Sequence, residues 1–439
     1  MSSAFTIHAE WEHGEYGPPE ERATAAYLSI HVNGVCVTRA ENRWSETLVD
    51  KVLLSACPLA LWLAASWWRL RWEPALPPGS NTTDQTSIDW KMSHEAGAAG
   101  HGFLWPPLRF EADGENIDIV VSASSPSSKA MLRYVGEIRG SVPGADFERG
   151  VADFIELTLA RLRDRGVKNS ELEAVWREVQ AERSDPPSAF FRQIEARMGF
   201  DPDEAPPSVI QDLLRLSKDA GQSAIAEIAP LCSGANPGVA LERIIDMSRS
   251  EGISAAFDPA LRKNIGRIRK TLPPWERGWE LARVLRSKLD LKGAVSDELF
   301  KELFQLPSAA SVFPDAPAGR RPLGLAVLGS NSNALKLFFR RPRRTGQRFE
   351  AARVLADLLI APPQDAWRPL TDCPTARQKV QRAFASEFLC PIQLLRDFLD
   401  NDFSEARREE AAEFFEVSEY TVRSSLLNHN LLSRDVVDG

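Results

Sequence analysis

The chain has 439 residues, of which 43% are hydrophobic and 26% are charged, and its formal net charge is -8. This composition excludes a disordered chain, a collagen and a coiled-coil rod, and the length predicts two or three domains. The negative charge provides no global field that would hold the protein on nucleic acid or anionic lipid. Any such contact therefore has to be local.

The five cysteines lie far apart in the sequence and form no C-x-x-C pair. Their number and spacing argue against a disulfide framework and against a cysteine zinc site. The first residues are acidic and contain no apolar segment of a signal peptide. The most apolar stretch, Val52 to Trp68, is slightly too short to span a bilayer, and we interpret it as a buried helix. We expect a cytoplasmic protein without membrane contact.

Residues 1–142 are predicted to form a tryptophan-rich α+β domain. Asn33-Gly34 lies between two apolar runs, and both residue types tolerate the positive φ of a hairpin turn. Asp113-Gly114 marks a second turn. Eight of the twelve tryptophans lie in the first 105 residues. Their indole rings either fill a core or line a binding groove.

The stretch 81–102 is rich in Gly, Ser, Thr and Ala, which predicts a long loop. It contains His94, Glu95 and His101, whose side chains could bind a metal. The two histidines are seven residues apart across glycines, whereas a zinc-binding helix places them four apart. Ordinary loop residues are the simpler interpretation. An enzyme that uses these three side chains is kept as an alternative.

Residues 143–305 are predicted to form a helical connector domain. Apolar residues recur at helical spacing from Val151 to Leu162, and Gly166 follows as a helix stop. Ser170 and Glu173 form a capping-box pattern at the start of the next helix. Such helices usually pack as a scaffold, and nothing in this part has catalytic spacing.

Residues 306–400 show a different pattern, with two short predicted strands at 323–328 and 335–339 around a hairpin loop. Helical patterns follow at 349–360 and 375–389. This order predicts a mainly helical domain that carries a short β-hairpin.

Residues 401–439 are predicted to form a helix-turn-helix-like tail, with the turn near Val417-Ser418. Nine acids oppose four basic residues in this segment. This balance works against DNA binding, because a DNA reader normally gains affinity by neutralising phosphates. Three side chains could nevertheless face a groove: Arg423, His429 and Asn430.

Four segments from Pro274 onward resemble the ImmA/IrrE group of prokaryotic zinc-metallopeptidase-like proteins. The run RFEAARVLADLL at 348–359 is similar to the family motif RFxxAHExGHLL, and QRAFASEFLCP at 381–391 is similar to ANxFAxxLLMP. The run FEVSEYTV at 415–422 is similar to the tail motif, and residues 274–286 resemble a helix common before that domain. The resemblance implies a zincin-like domain.

The resemblance places Arg353, Val354 and Asp357 at the histidine, glutamate and second histidine of HExxH. Arginine stays cationic and cannot donate a lone pair to zinc, and valine cannot activate water. The acid that supplies the family's third ligand has no counterpart among residues 377–380. We therefore predict a pseudoenzyme that has no catalytic residue, no cofactor and no bound metal. In place of the metal, we expect a packed apolar seam with an Arg353–carboxylate pair at its mouth. The seam is formed by Ala352, Leu355, Ala356 and Leu359 on one helix and by Val380, Phe384, Phe388 and Leu389 on the other.

A basic run extends from Arg320 to Arg348, with eight basic residues and no acid. The candidate binding patch within it consists of Arg340, Arg341, Arg343, Arg344 and Arg348. Guanidinium groups suit phosphate or carboxylate partners. Three interpretations are open: a solvated rim that pairs with the protein's own acids, an acidic protein partner, and nucleic acid.

We expect a non-catalytic bacterial regulatory or recognition protein with a protein partner, and the product of a neighbouring gene is one candidate for that partner. The resemblance implies settings such as stress response, toxin–antitoxin pairs, mobile elements or phage defence. The alternatives are a DNA-binding transcriptional regulator that uses the arginine-rich hairpin and the tail, and an enzyme whose site lies in the N-terminal domain.

Overall fold

The computed structural model of the chain describes residues 4–75, 84–125, 127, 129–265, 268–269, 271–307, 312–313, 321–329 and 333–433. The chain is 51% helix and 17% strand, and the strands form several small antiparallel sheets. The fold class is therefore mixed α+β, as predicted. Within the described ranges, no helix is long and apolar enough to cross a membrane.

The chain forms two compact units that do not coincide with the four predicted segments. The first unit comprises residues 1–211, 233–235 and 373–375, and the second comprises residues 212–232, 236–372 and 376–439. The predicted helical connector thus contributes to both units. Close packing explains the difference, because Gly150 of the connector lies against the backbone of Phe5 in the first unit. Gly278 lies against the backbone of Val380 in the second.

The strands of the first unit pair in three antiparallel sheets. They are β1 (Phe5–Trp11), β2 (Ala25–Val32), β3 (Val35–Cys36), β4 (Ala40–Asn42), β5 (Thr47–Val49), β6 (Val52–Ser55), β7 (Leu108–Ala112), β8 (Asn116–Val121), β9 (Leu132–Tyr134) and β10 (Ile138–Pro143). Strand β2 pairs with β1, β3 and β6, strand β8 lies between β7 and β10, and strand β4 lies between β5 and β9.

The helices of the first unit pack on these sheets and on one another. They are α1 (Pro19–Ala23), α2 (Ala56–Ala65), α3 (Trp67–Trp72), α4 (Asp84–His94), α5 (Gly144–Asp164), α6 (Glu171–Ser184) and α7 (Pro186–Arg197). Helix α8 (Pro207–Ala220) follows them, and the division between the units falls within it. Helix α5 packs against β1 and α2 through its buried apolar stripe.

Both predicted hairpin turns are present. Asn33 and Gly34 connect β2 to β3 with φ of 49° and 82°, and Gly114 lies between β7 and β8 with φ of 93°. The side chain of Ser170 accepts a hydrogen bond from the backbone of Glu173 at the start of α6, as the capping pattern predicts. These features depend on local backbone chemistry, which the sequence expresses directly.

Two local predictions for the first unit are wrong. The stretch predicted as a long loop contains the helix α4. Burial stabilises this helix, because Trp90 and His94 lie one turn apart on it, stack on each other and are both buried. Residues 81–83 of that stretch lie outside the described residues. The apolar stretch predicted as one buried helix begins with β6, whose Leu54 pairs with Ala26 of β2, and continues in α2 and α3.

The second unit contains one four-stranded antiparallel sheet in the order β11-β13-β12-β14. Its strands are β11 (Ile253–Ala256), β12 (Gly324–Leu328), β13 (Ala334–Phe338) and β14 (Trp367–Leu370). The pair β12 and β13 confirms the predicted hairpin, although loop residues 330–332 lie outside the described residues. Strands β11 and β14 were not predicted.

The helices of the second unit precede and follow the strands of this sheet in the sequence and continue into the tail. They are α9 (Gln222–Ile228), α10 (Pro237–Arg249), α11 (Pro259–Ile265), α12 (Pro274–Lys288), α13 (Asp297–Leu303), α14 (Arg344–Ile360), α15 (Ala376–Leu389), α16 (Ile392–Leu399), α17 (Glu405–Phe414) and α18 (Glu419–Asn428). Helices α14 and α15 pack against each other, and α12 packs on α15. Helices α17 and α18 lie where the tail helices were predicted.

Candidate functional site

The predicted apolar seam between α14 and α15 consists of buried side chains on both helices. They are Ala352, Leu355, Ala356 and Leu359 on α14, and Val380, Phe384, Phe388 and Leu389 on α15. The rings of Phe384 and Phe388 stack with their centroids 5.3 Å apart. The seam joins the two helices that carry the motif-like segments.

Helix α14 also buries charged side chains, which protein interiors rarely contain without compensation. Glu350, Arg353 and Asp357 are all at least 97% buried and recur at helical spacing along the helix. Buried charges persist where ion pairs and hydrogen bonds replace the lost water. The partners of Arg353 and Asp357 therefore decide what this site can do.

Asp357 is fully buried, and Arg377 of α15 binds it through two parallel hydrogen bonds. Arg377 Nε donates to Oδ1 over 2.8 Å, and Nη2 donates to Oδ2 over 2.6 Å. Gln381 Nε2 donates a further bond to Oδ1 over 2.9 Å. Burial alone would raise the pKa of Asp357, but the charge of Arg377 and these donors hold that pKa below its usual value.

The third nitrogen of the Arg377 guanidinium binds two further groups. Its Nη1 donates to Oδ2 of Asp365 over 2.9 Å and to Oγ of Ser223 over 3.0 Å. Ser223 also donates to Asp365. Arg377 thereby connects α14, α9 and the residues before β14. Burial would lower the pKa of Arg377, but the charges of Asp357 and the other nearby carboxylates raise it above its usual value.

Arg353 is almost fully buried and binds neutral oxygens. Its Nη2 donates to the carbonyl of Thr371 over 2.7 Å and to the side-chain amide oxygens of Gln378 and Gln381. We expected an Arg353–carboxylate pair at the mouth of the seam, but amide oxygens take that place. Burial, with a smaller contribution from the charge of Arg382, lowers the pKa of Arg353 to about 9.

Gln378 completes the network because its amide has both donors and an acceptor. Its Nε2 donates to a carboxylate oxygen of Glu227 over 3.0 Å and to the carbonyl of Pro369 over 3.0 Å. Its oxygen accepts from Arg353 and from the backbone of Thr371. The polar groups at this site thus bind one another, and we call Asp357, Arg377, Asp365, Ser223, Arg353, Gln378 and Gln381 the buried network.

The buried network does not fit a zinc ion. Zinc requires lone pairs from nitrogen, sulfur or oxygen ligands, whereas Arg353 and Arg377 present only N–H donors. Val354 lies in the apolar core, and both oxygens of Asp357 accept hydrogen bonds from Arg377. In the part of the chain that the structure describes, no group of three His, Cys, Asp or Glu side chains could hold a metal ion.

The predicted arginine patch consists of side chains in different environments. Arg348 is fully buried and binds Asp297, Glu416 and the carbonyl of Val295. Arg344 is partly exposed and binds the same two acids, over 2.7 Å to Asp297 and 3.1 Å to Glu416. These two arginines thus connect α14 to α13 and to the turn before α18.

The other arginines of the patch are also largely paired. Arg340 binds Asp372 over 2.8 Å, and Arg341 lies 3.4 Å from the same carboxylate. Glu350 accepts hydrogen bonds from the backbone N–H groups of both arginines. Arg343 is exposed and pairs with no acid of the described residues. This arrangement favours the interpretation of a rim that pairs with the protein's own acids, although Arg320 lies outside the described residues.

The candidate tail contacts are only partly available at the surface. His429 stacks on Trp279 of α12 with the ring centroids 4.3 Å apart, and burial lowers its pKa. Arg423 is half-buried, whereas Asn430 is exposed just after α18. The stacking holds the His429 ring against α12.

His94 is fully buried in the first unit and is not available to a substrate. Its ring stacks on Trp90, and its Nδ1 lies 2.8 Å from the carbonyl oxygen of Trp90. Its Nε2 lies 3.7 Å from a carboxylate oxygen of Glu73. Burial lowers the pKa of His94 to about 3. Burial also raises the pKa of Glu73, against the opposing charge of Arg69, whose Nε donates to that carboxylate over 2.7 Å.

His101 and Glu95 do not complete a site with His94. His101 is exposed, and its Nδ1 lies 2.8 Å from a carboxylate oxygen of Glu21. Glu95 directly follows α4 and forms a backbone bridge with Arg109. The alternative enzyme site is therefore not assembled from these three residues.

The environment of His94 leads to a prediction for its titration. We expect the imidazole of His94 to stay neutral from pH 8 down to pH 5, because burial opposes its charged form. The chemical shifts of its ring carbons, assigned by comparison with a His94→Gln variant, measure this directly. A midpoint near the ordinary value of 6.5 would contradict the prediction.

Sequence reasoning missed the partners of Asp357. Residues 377–380 were considered only as the place of an absent zinc ligand, and Ser223 and Asp365 were not considered. One signal was present in the sequence. Arg377 and Gln381 lie one turn apart on a predicted helix that also carries Phe384, and this spacing could have indicated a buried polar face on that helix.

No protein-family model matches this chain, and searches of curated proteins and of solved structures found no match. The interpretation of the site therefore depends on its geometry and on the motif resemblance.

Proposed function

We propose that the second unit carries a metal-free, ImmA/IrrE-like domain and that the protein acts by recognising a partner protein, not by catalysis. The main support for this proposal is the Asp357–Arg377 ion pair, which lies at the positions where the resemblance implies zinc ligands. The setting implied by the resemblance is a bacterial stress, toxin–antitoxin, mobile-element or phage-defence system.

The chemistry of the buried network supports a structural role. A general base needs a free lone pair and a pKa near the working pH. Asp357 has a lowered pKa, and its oxygens accept hydrogen bonds from Arg377 and Gln381. Arg353 donates its bonds to oxygens of the protein itself. A nucleophile, a base and an electrophile are thus not available together at this network.

The charge distribution gives a nucleic-acid role less support than a protein-recognition role. Four acids, Asp297, Glu350, Asp372 and Glu416, contact four of the five arginines of the candidate patch or their backbone. Each phosphate contact would have to displace such an acid, except at Arg343. We therefore expect only weak binding to a DNA duplex at physiological salt.

Two arginine variants test whether the buried and the exposed arginines of the candidate patch contribute differently to stability. We expect Arg343→Ala to change the free energy of unfolding by less than about 0.5 kcal/mol, because its side chain is exposed. Arg348→Ala is expected to cost about 3 kcal/mol or more, because Asp297 and Glu416 lose a buried partner. Urea denaturation followed by circular dichroism measures both. Equal effects would contradict the distinction between buried and exposed arginines.

Metal analysis tests the absence of a zinc site. We expect less than about one-tenth zinc per chain after purification without added chelator, because the donor set does not fit zinc. The triple variant Arg353→His, Val354→Glu and Asp357→His is expected to show no peptidase activity, because residues 377–380 offer no third ligand. Elemental analysis that finds near-stoichiometric zinc would contradict the proposal.

Affinity capture tests the recognition role. We expect the tagged chain, expressed in its native bacterium, to retain one protein partner after cross-linking. If the purified chain turned over a peptide or a nucleotide, and if Asp357→Asn abolished that turnover, the result would instead indicate catalysis.

A further inference from the structure

Helices α16 and α17 present an aromatic surface in the tail. Phe414 is 52% exposed, and its ring stacks on that of Phe398 with the centroids 5.0 Å apart. Phe398 and Leu394, one turn apart on α16, are both only partly buried. We call Leu394, Phe398 and Phe414 the tail patch. Contiguous exposed apolar surface with a polar border is a mark of protein interaction sites.

Acidic side chains border the tail patch. Asp397 and Glu413 are exposed neighbours of Phe398 and Phe414 in the sequence, and neither pairs with a basic group of the described residues. Glu410 is exposed one turn before Phe414. The surroundings of the patch therefore carry a negative charge.

The cation nearest to the tail patch is already engaged. Arg407 binds Glu410 and donates to the carbonyl of Phe398 over 2.7 Å, and its guanidinium lies 4.7 Å from the centroid of the Phe398 ring. Arg396 is two residues before Phe398 and hence on the far side of α16. Among the described residues, neither arginine forms an ion pair with Asp397 or Glu413.

This charge pattern separates the classes of partner that could cover the patch. Nucleic acid would bring phosphates next to Asp397, Glu410 and Glu413, and a second copy of the same surface would bring like charges together. A protein segment with an apolar side and flanking lysines or arginines complements both the aromatic rings and the acidic border.

We propose that the tail patch binds a basic, amphipathic protein segment, with an apolar side chain on the rings of Phe398 and Phe414. The lysines or arginines of that segment pair with Asp397 and Glu413. The inference rests on the proposed recognition function and adds the site and the chemistry of the partner.

Two peptides of opposite charge provide the probe. The first is a fluorescent helical peptide of 18 residues with leucines on one side and lysines on the other, and the second has glutamates in place of the lysines. Fluorescence anisotropy with the purified full chain is expected to show saturable binding of the lysine peptide and none of the glutamate peptide. Equal binding of both peptides, or binding of neither, would overturn the inference.

Three variants locate the contact on the protein. Phe414→Ala is expected to weaken binding of the lysine peptide by about 30-fold, as the loss of a central aromatic contact does. Trp44→Ala is the matched control, because Trp44 is 84% exposed in the other unit and should leave binding unchanged. Glu413→Lys, a surface change that should preserve folding, is expected to weaken binding and to reduce its dependence on salt.

Unchanged peptide affinity in both folded tail variants would overturn the inference. It would also be overturned if the chain self-associated and Phe414→Ala abolished that self-association. The recognition function itself is tested separately by affinity capture. If the captured partner still binds the Phe414→Ala and Glu413→Lys variants fully, the tail patch is wrong while the recognition function stands.

Discussion

Replacing Asp357 by asparagine is expected to lower the free energy of unfolding of the second unit by about 3–5 kcal/mol, because it breaks a buried ion pair from one side. The variant keeps the size of the side chain but removes its charge. Arg377, whose side chain is largely buried, then loses one of its two carboxylate partners. The nearby Arg368, buried and also stabilised by the charge of Asp357, is affected as well.

Urea denaturation of the full chain measures this loss, and Asp212→Asn serves as the control. Asp212 pairs with Arg215 over 3.0 Å in a solvent-exposed i,i+3 arrangement, so its replacement should cost less than about 1 kcal/mol. A cost below about 1 kcal/mol for Asp357→Asn would mean that the buried ion pair contributes little to the fold.

The same variant also tests how the stability of the chain depends on pH. The pKa of Asp357 in the folded chain lies below its ordinary value of 3.8, so its contribution is complete above that value and is lost as the pH falls below it. We expect the stability of the natural chain to decline more steeply below pH 4 than that of Asp357→Asn. Identical slopes in melts recorded between pH 5 and pH 2.5 would contradict this expectation.

Replacing Phe384 by alanine is expected to cost about 3–5 kcal/mol, because its ring is fully buried in the core of the second unit and its removal leaves a cavity. Ile360 at the end of α14 is 36% exposed, so Ile360→Ala is a suitable control with a smaller expected cost. A silent Phe384→Ala variant would show that the seam does not hold the two helices together.

Chelation separates the apolar seam from a metal as the source of this stability. Because we propose that packing and the buried network hold α14 against α15, an excess of EDTA should leave the melting temperature unchanged. A decrease of several degrees that added zinc reverses would indicate a metal-dependent fold.

Local features of this fold could be predicted from the sequence because each has its own chemical signal. Asn33-Gly34 supplies the positive φ values of a hairpin turn, and Ser170 supplies the N-cap of α6. The seam residues of α14 and α15 follow helical spacing. The strands β11 and β14 could not be predicted in this way, because they are four residues each and their pairing partners lie far away in the sequence.

The buried arginines were the hardest part to predict, because arginine is normally an exposed residue. Arg348 and Arg353 therefore looked like members of a surface patch or of a lost metal site. Their burial depends on partners brought from distant elements, such as Asp297 for Arg348 and Gln378 for Arg353. Spacing within one helix does not contain this information.

A double-mutant cycle on Asp357 and Arg377 tests most directly whether an internal ion pair holds the site that we propose to be metal-free. The free energies of unfolding are measured for the natural chain, Asp357→Asn, Arg377→Gln and the double variant. If the two side chains act as a buried pair, their coupling energy should be about 2 kcal/mol or more. Costs that add within about 0.5 kcal/mol would contradict the role that we assign to the pair.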